Sequence, residues 1–140
     1  VTHVQNRLAA AWIFVVLNYL YCDVTGLMDA HLLRQFLTGQ VGGLTLSAGF
    51  LLGASVLMEI PIAMVLVSRV AGYRVNRTAN VAAATVMTAV QLASLATGTP
   101  TAYYVFFSVI EIACTAGIVR CAWTWRPQQP VTIVQADAAR

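Results

Sequence analysis

The chain has 140 residues, 59% hydrophobic and only 9% charged, whereas a soluble domain carries about a quarter charged residues; it cannot cover a water-facing surface, and lipid must be its main solvent. Its net charge of +3 rests on eight arginines and no lysine. These sit at the ends of apolar runs, so they read as topology signals and lipid headgroup contacts, not as a nucleic-acid surface.

A spanning helix needs roughly 20 apolar residues, so four spans use nearly the whole length and leave little for a soluble catalytic domain. The first span is expected over residues 8–28, reading LAAAWIFVVLNYLYCDVTGLM. It is long and runs into polar aromatic residues without a small-residue cleavage pattern, so no cleavable signal peptide is expected. The loop from Asp29 to Thr45 carries Leu32, Leu33, Phe36 and Leu37 at helical spacing, which predicts a short helix lying on the membrane surface. Gly39, Gly42 and Gly43 then break it.

The second span is expected over 46–70 and contains Glu59 and Pro61. Gly72, Arg74, Asn76 and Arg77 form a tight connection to a third span over 78–97. The GTPT turn at 98–101 is short enough to demand an antiparallel hairpin, and the fourth span follows over 102–123. The four-helix transmembrane domain thus covers 1–125. The tail, 126–140, carries Pro127 and Pro130, has no clear period, and is expected to be loosely ordered. The fold class is an all-α membrane bundle of four helices.

Placing both termini in the cytoplasm puts Arg7, Arg69, Arg74, Arg77, Arg120, Arg126 and Arg140 inside and leaves only Arg34 outside, a strong positive-inside bias. Trp12, Trp123 and Trp125 would mark the inner interface, and Tyr103 and Tyr104 the outer one. A faint repeat runs through the chain. Asn6-Arg7 opens the first span and Asn76-Arg77 the third, while Ser55…Glu59 in the second echoes Ser108…Glu111 in the fourth. Two tandem hairpins related by a pseudo-twofold along the membrane normal would produce it.

Depth makes three acids informative. Glu59 and Glu111 fall near the middle of their spans, and Asp23 in the outer third of the first. A charge at the bilayer centre costs at least ~3 kcal/mol on insertion scales and by default marks a functional site. Polar company falls at matching depths: Asn18, Tyr19 and Tyr21 on the first span, Thr88 and Gln91 on the third, Ser108 and Thr115 on the fourth. Gly49, Gly53 and Ser55 would let another helix approach near Glu59. Pro61 cannot donate to the carbonyl of Leu57, which frees that oxygen beside Glu59 and predicts a kink. If all four stripes face inward, these groups converge on one site. No arginine lies mid-span to pair with the glutamates. They are then either neutral polar clamps between helices or acids that ionise as a proton, metal ion or organic cation comes and goes.

Other chemistries lack their residues. Cys22, Cys114 and Cys121 form no Cys-x-x-Cys pair, and Cys114 and Cys121 stand about 10 Å apart along one helix, too far for a disulfide. The two histidines, His3 and His31, fall near opposite surfaces, so axial haem ligation from the spans is not expected. There is no Glu-x-x-His motif for a di-iron site and no Walker-type loop. No metal or other cofactor and no catalytic residue is assigned.

The stretches NRLAAAWIFVVLNYLYCDVTGLMD, GFLLGASVLMEIPIAMVLVSRV and YYVFFSVIEIACTAGIVRCAW resemble a family of small four-helix bacterial membrane proteins without assigned function. The resemblance covers roughly residues 5–125. It rests on the run Asn18-Tyr19-Leu20-Tyr21-Cys22-Asp23 and on Met58-Glu59-Ile60-Pro61, both unusual in membrane helices. It implies a multi-pass protein of the bacterial cytoplasmic membrane, broadly similar to bundles of the DoxX type, an analogy that carries no function. The small multidrug-resistance transporters also pair four helices with an embedded glutamate, but theirs lies in the first helix, where this chain has Asn18.

The leading expectation is a proton- or cation-linked binding or transport protein. Its ligand site would use Glu59 and Glu111 as midplane acids, Asn18 and Gln91 as polar ligands, and Tyr19, Tyr21 and Asp23 as an outward vestibule. Four short helices enclose little volume, so a homo-oligomer is expected. A structural or assembly subunit, and a membrane enzyme acting on a lipid or quinone, are the alternatives.

Overall fold

The computed structural model describes residues 2–97 and 99–127. The tail expected to be loosely ordered lies almost wholly outside them. The elements run α1 (His3–Met28), α2 (Ala30–Thr38), β1 (Gln40–Val41), β2 (Leu44–Thr45), α3 (Ala48–Val70), α4 (Tyr73–Leu95) and α5 (Ala102–Thr124). Among them, α1, α3, α4 and α5 are long and apolar enough to cross a membrane.

Local chemistry sets the helix ends. Thr2 and Gln5 form a reciprocal capping box at the start of α1, with Thr2 N donating to Gln5 Oε1 at 2.7 Å. Asp29 both ends α1 and opens α2, where its Oδ1 accepts from the backbone N–H groups of His31 and Leu32. The glycines that break α2 build a small hairpin where a plain loop was expected: β1 pairs antiparallel with β2. Gly42 and Gly43 turn it with φ of 56° and 84°, the left-handed backbone that a two-residue hairpin turn requires. Ser47 caps α3. The tight connection is shorter than expected. Only Ala71 and Gly72 separate α3 from α4, and Arg74, Asn76 and Arg77 already belong to α4.

α1 packs on α3 and α5, and α4 packs on α3 and α5. The spanning helices therefore stand in chain order around a four-cornered bundle, with α1 and α4 on one diagonal. This up-down arrangement is the one that two tandem hairpins would give. The amide of Gln5 reaches the carbonyl of Ala71 at 3.2 Å, and the Tyr73 hydroxyl reaches that of Trp125 at 2.9 Å. These bonds gather Arg7, Arg69, Arg74, Arg77, Arg120 and Arg126 at one end of the bundle, termed here the arginine end.

The core is concentrated toward that end: Leu8, Trp12, Val15, Met64, Ala83, Ala84, Met87, Ile118 and Ala122 form one buried cluster with Tyr19. Alanines at 83 and 84 let neighbouring backbones come close, which is how apolar helices gain contact in lipid. Toward the opposite end α3 carries no buried residue before Pro61, and a Cβ added at Gly53 would meet nothing within 4 Å. The expected close approach at Gly49 and Gly53 is absent there. The helix is continuous through Pro61, which is buried.

Candidate functional site

Helical phase decides which acids face inward. On α5 the buried residues are Ser108, Glu111, Thr115, Ile118 and Ala122, one stripe at three- and four-residue spacing. Glu111 lies near mid-helix and is only 1% exposed. On α3 the buried residues are Pro61, Met64 and Ser68. Each residue turns an α-helix by about 100°, so Glu59, two positions before Pro61, points about 200° away. It is exposed on the outer face of the bundle. This corrects the expectation that Glu59 and Glu111 meet inside, and it breaks the equivalence suggested by the sequence repeat.

The same phase argument sorts α1. Tyr19 is buried, as are Cys22 and Gly26 one and two turns on. Tyr21, two positions from Tyr19, is 63% exposed and faces outward. Asn18 is half-buried and donates to the carbonyl of Phe14 on its own helix at 2.9 Å, so its amide is engaged locally. Asp23 is exposed at the flank of the buried stripe that carries Tyr19 and Cys22.

α4 supplies the facing side. Gln91, 7% exposed, donates through Nε2 to Ser108 Oγ at 2.6 Å. One layer nearer the arginine end, the hydroxyls of Thr88 and Thr115 are 2.8 Å apart. At the other side Ser94 and Tyr104 share a short hydrogen bond, which draws Tyr104 into the bundle. Glu111 thus stands on α5 between two residues, Ser108 and Thr115, that are both bridged to α4. Its own carboxylate oxygens, buried as they are, have no partner among the described residues. A buried polar group left unpaired costs about 1–3 kcal/mol, and in hydrocarbon no water repairs the loss.

A second polar layer lies nearer the arginine end, and the sequence reading missed it. Trp12, expected as an interfacial aromatic, is fully buried, and its Nε1 donates to Asn80 Oδ1 at 2.7 Å. Ser68 Oγ donates to the same oxygen at 3.3 Å. Asn80 Nδ2 donates to Asn76 Oδ1 at 2.7 Å and to the Asn76 carbonyl at 2.9 Å. Asn76 Nδ2 in turn caps the end of α3 at the Ser68 carbonyl, 2.7 Å away. The signal was the stripe Asn76, Asn80, Ala83, Met87 and Gln91, which all lie on one helical face.

Among the described residues no three His, Cys, Asp or Glu side chains stand together as a metal-binding group. What remains is one interior carboxyl on a helix stripe with the hydroxyls of Ser108 and Thr115, each bridged to α4.

The chain matches the family of unknown function DUF6326 over residues 2–132 and belongs to it. No curated protein and no solved structure matches it.

Proposed function

We propose that this multi-pass membrane protein binds a proton or small cation at Glu111, within a four-helix bundle of the bacterial cytoplasmic membrane with both termini inside, and that transport is the use of this site. The observation that carries the reading is the Glu111 carboxyl, 1% exposed with neither oxygen partnered among the described residues. A neutral clamp between helices would hold hydrogen bonds, and the neighbouring Gln91–Ser108 and Thr88–Thr115 bridges do hold theirs. Tyr19 and Asp23 belong to the same site, with Asp23 at its mouth.

Proton release tests it directly. The purified chain in detergent receives Na+, Mn2+, Zn2+ or tetraphenylphosphonium in a weakly buffered solution with a pH indicator. Release from the wild type and none from Glu111→Gln is the expected result. Silence with every probe, or undiminished release from the variant, would overturn the reading.

A second reading, assembly, is favoured by Glu59. This carboxyl lies midway along α3 and is exposed among Leu52, Val56, Ile62 and Leu66. An acid facing lipid at that depth costs about 3 kcal/mol or more, which another protein surface would relieve. A homo-oligomer joined through α3 supplies that surface. The mass of the detergent-solubilised particle, measured for the wild type and for Glu59→Leu, decides it: a monomeric wild type removes the reading.

A further inference from the structure

We infer that a groove at the arginine end of the bundle, between α4 and α5, is a binding site for one anionic phospholipid. It is independent of the Glu111 site. The groove has a volume of about 500 Å³ and is lined by Tyr73, Arg74, Arg77 and Trp123 at its polar mouth and by Val81 and Ala82 deeper along α4. That gradient matches a phospholipid, whose phosphate sits at the interface while its chain runs into hydrocarbon.

The cations are placed for a phosphate. Arg77 is fixed by three contacts: Nη1 donates to the Tyr73 hydroxyl at 3.3 Å, Nη2 donates to the Trp123 carbonyl at 3.2 Å, and the guanidinium lies 5.5 Å from the Trp123 ring centre. Tyr73 is itself held by the Trp125 carbonyl and packs edge-on against the Trp125 ring at 5.1 Å. A guanidinium has five N–H donors, and the two used here go to neutral acceptors, so among the described residues the charge is not compensated. The described acids offer no relief: Glu59 and Glu111 lie mid-helix, and Asp23 and Asp29 lie toward the opposite end of α1. Arg74, one turn earlier and exposed, adds a second positive charge to the same mouth. The first turn of α4, opened by Gly72 without a side-chain cap, directs unsatisfied N–H groups to the same end and favours an anion there. Basic pockets between spanning helices take anionic headgroups for these reasons.

The test uses the full chain in dodecylmaltoside micelles and reads the thermal unfolding midpoint during lipid titration. Phosphatidylglycerol should raise the midpoint saturably, and phosphatidylcholine should not. Arg74→Gln, at an exposed position, should weaken the apparent affinity about fivefold, the effect of one arginine near an anionic headgroup. Ala82→Trp, which fills the apolar floor and spares both arginines, should abolish the saturable shift. Arg34→Gln, at the other end, should leave it intact. Equal stabilisation by phosphatidylcholine, wild-type titrations from both Arg74→Gln and Ala82→Trp, or the same shift from inorganic phosphate at equal concentration would each overturn the inference.

Discussion

Two polar layers cross this bundle, and they are built differently. In the layer nearer the arginine end, Asn80 uses its full capacity: its oxygen accepts from Trp12 and Ser68, and its amide donates twice to Asn76. In the layer at mid-bundle, Gln91 and Ser108 pair, Thr88 and Thr115 pair, and Glu111 between them pairs with nothing described. Burial is equally complete for Asn80 and Glu111, so depth does not separate them. Satisfaction does. A buried polar group bonded on every side holds helices together, while a buried acid without a described partner weakens the fold, and the proposed cation site is what would keep it there.

The largest effect should come from the satisfied layer. Asn80→Leu orphans the Trp12 indole N–H and the Asn76 side chain while leaving them buried, and each orphan costs about 1–3 kcal/mol. A loss of about 3 kcal/mol or more in detergent unfolding is expected. A change under about 1 kcal/mol would mean the layer is not structural.

Glu111→Leu should move stability the other way. It removes a carboxyl without a described partner and keeps an apolar group of similar bulk, so a gain of about 1–2 kcal/mol is expected, together with loss of cation-linked proton release. Destabilisation by this variant would show that Glu111 has a structural partner, and the contrast between the layers would collapse. Trp12→Phe is gentler. It keeps most of the packing at α1 and gives up one interhelical bond, and such bonds average about 0.6 kcal/mol in membrane bundles. A loss of about 1 kcal/mol is expected. The Trp12→Phe, Asn80→Leu double variant should lose less than the sum of the two single losses, because the bond they share breaks only once.

The contrast also explains what the sequence could tell. The spans and the short helix with Leu32, Leu33, Phe36 and Leu37 were legible because length and apolar periodicity fix them, whereas Gly42 and Gly43 read only as a break and not as the hairpin they turn. The depth of Glu111 was legible for the same reason. Direction was not. In a soluble helix the apolar stripe marks the inside, but in lipid both faces of α3 are apolar, and the inward face is told by Pro61, Met64 and Ser68 only after the bundle is packed. Glu59 and Glu111 therefore look alike in sequence and point in opposite senses. Trp12 misled in the mirror image of this way: the interfacial-aromatic rule assumes a side chain facing lipid, and Trp12 faces Asn80.

The smallest effect sharpens the comparison within a single helix. Asn18 and Tyr19 are adjacent at mid-depth on α1, and both were expected as ligands. Tyr19 is buried in the bundle. Asn18 is half-buried, and its amide is spent on the Phe14 carbonyl one turn back. That bond spans no interface, and a residue bonded only to its own helix can be lost without orphaning a group elsewhere. Asn18→Leu should therefore change unfolding by no more than about 0.5 kcal/mol and leave cation-linked proton release as in the wild type. Tyr19→Phe should keep the packing of the ring and still alter that release, because it removes the hydroxyl that α1 would bring to the proposed site. A reversed outcome, with Asn18→Leu silent in proton release and Tyr19→Phe unaffected, would move the cation site from the bundle interior to the flank of α1 that carries Asn18.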